Sequence, residues 1–374
     1  MKILHISKYY MPFIGGIEQT ARDLVLSLRG VAEQKLICFD HRPHSGDSVD
    51  RIDSVEVIRC GQQLLVASQA LSLSYGRKLR SLMREFRPDV VLFHYPNPFV
   101  AHYLLRELPP ETKLLIYWHL DITKQKLLRR FFSGQNRRLL ERADRVIATS
   151  PNYIEGSVWL RAFREKCTVI ESCINEERLR VSEGERERAA ELRKKNTGKI
   201  LCLAVGRHVP YKGYEYLIRA FRLLDDRFLL RIAGKGPLTE ELKREAEGDE
   251  KVRFLGAVPD EELRENLLAC DIYCFPSVTK NEAFGLSLAE GMYFAHPAVT
   301  FTIEGSGVNY VCPDKLCGLE VPNRDVSAYA EALKKLAEDP KLREELGENA
   351  RARVTERFLY RSFAEKIRAL LSEL

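Results

Sequence analysis

Ile200-Leu201-Cys202-Leu203-Ala204-Val205-Gly206-Arg207-His208-Val209-Pro210-Tyr211-Lys212-Gly213 opens with six apolar residues, stops at a glycine and continues as a short cationic loop. An apolar run of this length closed by glycine reads as a buried strand. Arg207 and Lys212 then leave from one loop at the strand's carboxyl end, which is where ligands sit in doubly wound sheets. A guanidinium fork beside an ammonium point charge suits a diphosphate, whereas the same two residues on an open surface would carry no message. His208 reads as part of the loop's own structure.

Outward from this stretch, strand-like runs alternate with amphipathic segments in both directions. Downstream lie Phe228 to Ala233, Val252 to Leu255, Asp271 to Phe275 and Ala298 to Phe301. After residue 325 the chain reads as helix alone, and Phe363, Ile367, Leu370 and Leu371 share one face near its end. Upstream lie Lys2 to Ser7, Lys35 to Phe39, Val55 to Arg59, Val90 to Phe93, Lys113 to Trp118 and Arg145 to Thr149, with Ala21, Leu24, Val25 and Leu28 at helical spacing after the first. Such alternation is the signature of a parallel sheet wrapped by helices. Residues 176 to 197 are strongly charged and nearly free of large apolar side chains, so the pattern breaks there as a linker or surface helix and then restarts. At about 100 to 200 residues per domain, the chain holds two α/β units whose carboxyl strand ends would share a cleft.

Two further loops carry chemistry by the same reasoning. Asn281-Glu282-Ala283-Phe284-Gly285-Leu286-Ser287-Leu288-Ala289-Glu290-Gly291-Met292 follows the strand ending at Phe275, and Leu286, Ala289 and Met292 set a helix that begins near Phe284 or Gly285. Its first N–H groups suit phosphate oxygens, while Glu282 and Glu290 are placed either to accept sugar and ribose hydroxyls or to serve as a dipole partner and a solvated carboxylate. Gly15-Gly16 sits between the first strand and its helix, as a tight turn or as a place where backbone meets an anion. His119-Leu120-Asp121-Ile122-Thr123-Lys124 leaves the strand ending at Trp118, and that His is structural or a donor and acceptor in a cleft.

Composition narrows the class. With 45% hydrophobic and 30% charged residues, the chain is neither disordered nor disulfide-stapled. Its longest apolar runs fall far short of the roughly 18 to 20 residues that span a bilayer, and its start lacks a secretion signal, so a cytosolic location is expected. Nine cysteines without a C-x-x-C spacing read as small hydrophobes. The net charge of +6 is uneven: residues 1 to 175 hold 26 Lys and Arg against 18 Asp and Glu, the remainder 33 against 35. A positive front half favours an anionic membrane, nucleic acid or a phosphorylated substrate without choosing among them. Lys124, Lys126, Arg129 and Arg130, like Arg77, Lys78, Arg80, Arg84 and Arg87, form solvated or membrane-facing basic faces. No D-x-D, H-E-x-x-H, G-x-G-x-x-G after the first strand, P-loop or G-x-S-x-G motif occurs.

Taken in order, the Gly15-Gly16 loop, Gly206-Arg207 with Lys212-Gly213, and the E-x7-E spacing from Glu282 to Glu290 around Phe284-Gly285-Leu286 resemble the retaining glycosyltransferases of family GT4. The resemblance covers nearly the whole chain. It implies an α/β GT-B fold of two Rossmann-like doubly wound domains facing a central cleft: an acceptor-binding domain over 1–175, a nucleotide-sugar-binding domain over 176–355, and a terminal helix over 356–374 that crosses back to the first domain.

The resemblance further implies that Arg207 and Lys212 bind the donor diphosphate, assisted by Phe284, Gly285 and Leu286. Glu282 would contact the transferred sugar, Glu290 the ribose, His119 the sugar from the opposite domain and Gly16 the phosphate on closure. Val258 joins the donor side, and a base site is expected near Gly256 to Pro259. Gly15, Glu18, Asp121 and Lys124 are acceptor-side candidates, and His119, Arg207, Lys212 and Glu282 are the catalytic set. No cofactor and no metal are implied.

Within the family, His119-x-Asp121-Ile122 with Lys124-Gln125-Lys126, and Ser150-Pro151-Asn152-Tyr153, look like bacterial O-antigen and capsule mannosyltransferases. That implies GDP-mannose as donor, a glycan or polyprenyl-diphosphate-linked acceptor and contact with the anionic inner face of the cell membrane; no nucleic-acid partner is expected, since the sequence has no repeated aromatic and basic platform or DNA-reading motif. Leu120 stands where several relatives have Ser. A UDP- or dTDP-sugar donor, and a non-catalytic nucleotide-sugar-binding subunit, are the alternatives.

Overall fold

Ile3, Leu4 and Ile6 are completely buried because the first apolar run lies in the middle of a sheet, with a strand hydrogen-bonded on each side. The computed structural model describes residues 1–43, 46–66, 69–122 and 132–374. The chain divides into two compact units, Met1–Cys173 with Arg361–Leu374, and Ile174–Tyr360.

The first unit contains strands β1 (Lys2–Ile6), β2 (Glu33–Pro43), β3 (Ser48–Ile52), β4 (Val55–Gln62), β5 (Leu64–Val66), β6 (Gln69–Leu71), β7 (Val90–Tyr95), β8 (Lys113–Trp118), β9 (Arg145–Ala148) and β10 (Cys167–Val169). Eight of these form one sheet in the order β10-β9-β8-β7-β1-β2-β4-β3, parallel throughout except where β3 folds back on β4. Strand order reverses between β1 and β7, which makes the loops after those strands the natural ligand position of the sheet. The helix Gly16–Ser27 buries Ala21, Leu24 and Val25, as its spacing predicts. At the other end of the chain, the helix Tyr360–Ser372 buries Phe363, Ile367, Leu370 and Leu371. Lys366 pairs with buried Glu171 at 2.7 Å, and Arg368 donates to the Ser27 carbonyl at 2.8 Å.

In the second unit, β11 (Ile200–Val205), β12 (Phe228–Ala233), β13 (Val252–Gly256), β14 (Ile272–Phe275), β15 (Ala298–Phe301) and β16 (Gly318–Val321) form an all-parallel sheet in the order β13-β12-β11-β14-β15-β16. This is the doubly wound order, with its switch point between β11 and β14. The charged stretch after residue 176 contains a helix, Glu183–Lys195, started by a capping box between Ser182 and Glu185. Arg264 holds Glu185 through two bonds of 2.9 and 2.6 Å, and Ala189 and Leu192 pack against Leu201, Leu229 and Ala269, so an ion pair and a narrow apolar stripe together fix this helix.

The α/β reading therefore holds in each unit. Strands β3, β5, β6, β10 and β16 escape the sequence reading because three to five residues, some with charges between them, show no usable period. All nine cysteines are free and eight are buried, in keeping with small hydrophobes. Among the described residues, no helix is long and apolar enough to cross a membrane.

Candidate active site

In the second unit the loops after four neighbouring strands, β13, β12, β11 and β14, rise together from one end of the sheet. Glycine lets them close on one another. Gly213 has φ +64°, and a Cβ there would lie 2.2 Å from the Pro276 carbonyl oxygen; a Cβ on Gly234, at φ +132°, would lie 2.0 Å from that of Gly206. Backbone bonds from Val278 N to Tyr211 O and from Gly234 N to Gly256 O, 2.9 and 2.7 Å, complete the stack.

This stack brings Lys212 to Glu282. The two side chains are each about one-tenth exposed, and Nζ lies 2.5 Å from Oε2 across the switch point. Nζ also sits 4.7 Å from the centre of the Phe275 ring. Glu282 is fixed independently of the lysine: Ser277 Oγ donates to its carboxylate at 3.1 Å, its N–H reaches Thr279 O at 3.0 Å, and Ser306 Oγ donates to its carbonyl. An ammonium has three donors, so Lys212 keeps capacity for an anion while paired. Arg207, on the same loop, is exposed and has no ion-pair partner among the described residues.

The helix Leu286–Tyr293 starts at Gly285, φ +95°, with no side-chain cap. Its first N–H groups therefore keep their donors for an incoming oxygen. Ser287 Oγ ties this helix start to the end of β11 through Val205 O at 3.1 Å. Phe284 turns its ring into the core, edge-on to Phe358 at 5.2 Å, and so offers only backbone to a ligand. Val258 is half-buried in the loop after β13.

Glu290 is not solvated: Arg178 donates to it and also to Asp260 at 2.9 Å. Arg264 in turn donates to the Arg178 carbonyl at 2.6 Å. Arg178 lies in the stretch read as a linker, and only its partner two loops away marks it out. Buried His208 bonds Thr239 at 2.9 Å, which is the structural role read from the sequence.

In the first unit, Gly15 precedes the helix Gly16–Ser27, and the Glu18 carboxylate folds back so that a Cβ on Gly15 would meet it at 2.5 Å. Burial pushes the Glu18 carboxyl up. A Cβ on Gly16 would enter open space. His119 stacks on Tyr117 with centroids 4.5 Å apart, and its Nε2 lies 2.9 Å from His94 Nδ1. Burial lowers its pKa to about 3, so the ring is neutral. Asp121 Oδ1 accepts from Trp118 Nε1 and Ser157 Oγ at 3.0 and 2.8 Å, which commits that oxygen to holding the loop. Lys124, with Lys126, Arg129 and Arg130, lies outside the described residues. On the helix Tyr75–Glu85, Leu79 and Leu82 are core, while Lys78 and Arg80 are paired to Asp47 and Glu107.

These loops carry a family. Residues 14–178 match the model for Glycosyltransferase Family 4, and residues 185–353 that for Glycosyl transferases group 1. An O-antigen chain mannosyltransferase of Escherichia coli is 31% identical over 365 residues, spanning 96% of this chain and 94% of that protein. The chain belongs to glycosyltransferase family 4. A D-rhamnosyltransferase of Pseudomonas aeruginosa is 33% identical to this glycosyltransferase over 364 residues, 96% of the chain and 92% of the relative. Among solved structures, sucrose-phosphate synthase from Thermosynechococcus elongatus superposes with a TM-score of 0.81 at 20% identity, over 100% of this chain and 98% of that one. An Anabaena protein crystallised with UDP gives 0.77 at 19% identity, with both chains fully covered. The fold is GT-B, two Rossmann-like halves, and the enzyme class is glycosyltransferase.

Proposed function

We propose that this glycosyltransferase moves mannose from GDP-mannose to a lipid-linked glycan, with retention at the anomeric carbon, in assembly of an O-antigen-like surface polysaccharide. The observation that carries the reading is the Lys212–Glu282 pair at the switch point of the second unit, flanked by Arg207 and an uncapped helix start. The two relatives named above transfer D-mannose and D-rhamnose, and D-rhamnose is 6-deoxy-D-mannose, so both names describe a sugar with an axial hydroxyl at C2.

In this reading Arg207 and Lys212 hold the diphosphate, together with the backbone of Phe284, Gly285 and Leu286. The bond between the anomeric carbon and the phosphate oxygen breaks, and its electron pair leaves with the nucleoside diphosphate. The acceptor hydroxyl attacks from the same face and gives its proton to the departing phosphate oxygen. Cationic groups placed where that negative charge grows supply much of the rate. Glu282 accepts from hydroxyls of the sugar and Glu290 from the ribose, held in place by Arg178. His119, Gly16 and Val258 complete the donor contacts, and Gly15, Glu18, Asp121 and Lys124 serve the acceptor.

The acceptor's lipid implies work at the inner face of the cell membrane. Leu64, Leu65, Val66 and Leu73, each more than half exposed, support a peripheral contact through the β5–β6 hairpin.

Thermal stabilisation by GDP, UDP, ADP and dTDP, each with and without its common sugars, tests the donor, because a ligand of the native state raises apparent stability. The largest shift is expected with GDP and GDP-mannose. A UDP or dTDP preference overturns the donor, and binding without any turnover of a nucleotide sugar overturns the enzymatic reading in favour of a binding subunit.

A further inference from the structure

His94 and His119 occupy the ends of adjacent strands in the first unit, where β7 and β8 run in register from Val90 opposite Lys113 to Tyr95 opposite Trp118. Their rings lie edge to edge with planes 12° apart, centroids 5.2 Å apart and His94 Nδ1 2.9 Å from His119 Nε2. A contact of that length between two nitrogens needs one proton between them. Each neutral imidazole carries one proton, so fixing the donor in this pair fixes which edge of His119 is protonated. Burial lowers both rings, which keeps both neutral.

The far nitrogen of His94 decides the direction. Nε2 is buried and has no hydrogen-bond partner. Were His119 the donor, the His94 proton would sit on Nε2 as an orphaned buried N–H, the rarer and costlier defect. With the proton on Nδ1, Nε2 is only a bare lone pair. His5, in the neighbouring strand β1, already shows the same solution. Its Nε2 lies 2.8 Å from Gln34 Oε1, and the Gln34 amide is oriented by its own bond to Val25 O at 3.1 Å. The proton of His5 is therefore on Nε2, and its buried Nδ1 is left bare.

We infer that His94 is a positioning residue: it donates from Nδ1 to His119 Nε2 and so holds His119 in the tautomer that carries its proton on Nδ1. The edge of His119 left for a ligand is then a hydrogen-bond donor and not a base. This rests on the proposed reading that His119 meets the donor sugar, and it specifies the contact as an N–H to a sugar oxygen. Nδ1 of His119 has no partner among the described residues, so the donor is unspent.

The test is a long-range proton–nitrogen correlation spectrum of the full chain labelled with 15N-histidine, in which each of the eight histidines reports its tautomer. His119→Asn and His94→Asn assign the two signals. Both rings are expected with the proton on Nδ1 near neutral pH; a proton on Nε2 of His119 in the wild-type protein overturns the inference, whatever any variant does. In His94→Leu, His119 is expected to shift toward the Nε2–H form, and kcat to fall about tenfold with GDP affinity changed less than about twofold. His94→Asn places an amide N–H where Nδ1 was and is expected to restore both the tautomer and the rate. An unchanged His119 tautomer in His94→Leu also overturns the inference. Undiminished transfer by His119→Ala is a separate failure: it removes the substrate contact on which the inference builds, while the spectrum of the wild-type protein speaks to the tautomer alone.

Discussion

Lys212 Nζ and Glu282 Oε2, 2.5 Å apart, join the loops after β11 and β14, the two strands between which the sheet order of the second unit reverses. Because Ser277, Thr279 and Ser306 fix Glu282, the carboxylate is the anchor and the lysine the group free to follow a phosphate. Removing a preorganised charge of this kind typically costs about 100- to 1000-fold in kcat. Lys212→Met and Glu282→Gln are each expected to lose transfer by at least the lower figure while circular dichroism is unchanged. The double variant is expected to lose much less than the product of the two, since the pair acts as a unit. Initial rates of nucleotide-sugar consumption check both statements, and full activity in either single variant sinks the site.

Glycine substitutions separate folding from ligand approach. Gly213→Ala places a Cβ against the Pro276 carbonyl at positive φ, and is expected to cost roughly 2 kcal/mol or more in stability. Gly16→Ala points into open space and is expected to leave the melting temperature within about a degree, since surface changes stay near 0.5 kcal/mol or less. A loss of transfer in that variant would then report phosphate approach at Gly16. Differential scanning calorimetry alongside initial rates distinguishes the two classes.

Arg178 holds Glu290 and Asp260 together at the edge of the site. Arg178→Ala is expected to weaken nucleoside diphosphate binding about tenfold, or about 1.4 kcal/mol, by freeing the carboxylate proposed to meet the ribose. Titration calorimetry with GDP measures this directly, and unchanged affinity would remove Glu290 from the ribose contact.

Acid should destabilise the protein in a defined window. Burial lowers His5 to about 4 and His119 to about 3 from an ordinary 6.5. Between those values the unfolded chain binds more protons than the folded one, so stability rises with pH up to about 6.5 and is level above it. Each ring contributes a slope of up to about 1.4 kcal/mol per pH unit. Denaturant midpoints measured from pH 7 to 4 should fall, and His5→Gln should reduce the slope between about pH 6.5 and 4; a flat wild-type profile contradicts the burial argument.

The β5–β6 hairpin offers a check on membrane contact. Vesicles containing anionic lipid are expected to sediment the wild-type protein, and Leu64→Ser with Leu65→Ser is expected to weaken this at least fivefold, since each exposed leucine is worth roughly 1.5 kcal/mol or more when buried. Equal binding by the double variant would remove the hairpin from the contact.

Periodicity and glycine placement made the two sheets, the helices packed on them and the cationic loop at Arg207 and Lys212 legible, because burial of a strand or of a helix face imposes a repeat on the residues that do it. Short edge strands such as β3 and β16 impose almost none. Arg178, Ser277, Ser306 and His94 also stayed hidden, since nothing local distinguishes an arginine in a charged stretch, or a histidine inside a strand, from its bland counterparts.

What the sequence by itself determined, then, is the alternation that builds two doubly wound units and the identity of the charged groups at their strand ends. Tertiary structure alone decided which of those groups meet: Lys212 with Glu282, Arg178 with Glu290, His94 with His119. Each pair spans 25 to 112 positions of chain. Contacts of that kind follow from strand order and loop packing, which are properties of the whole sheet, and no local window of sequence encodes them.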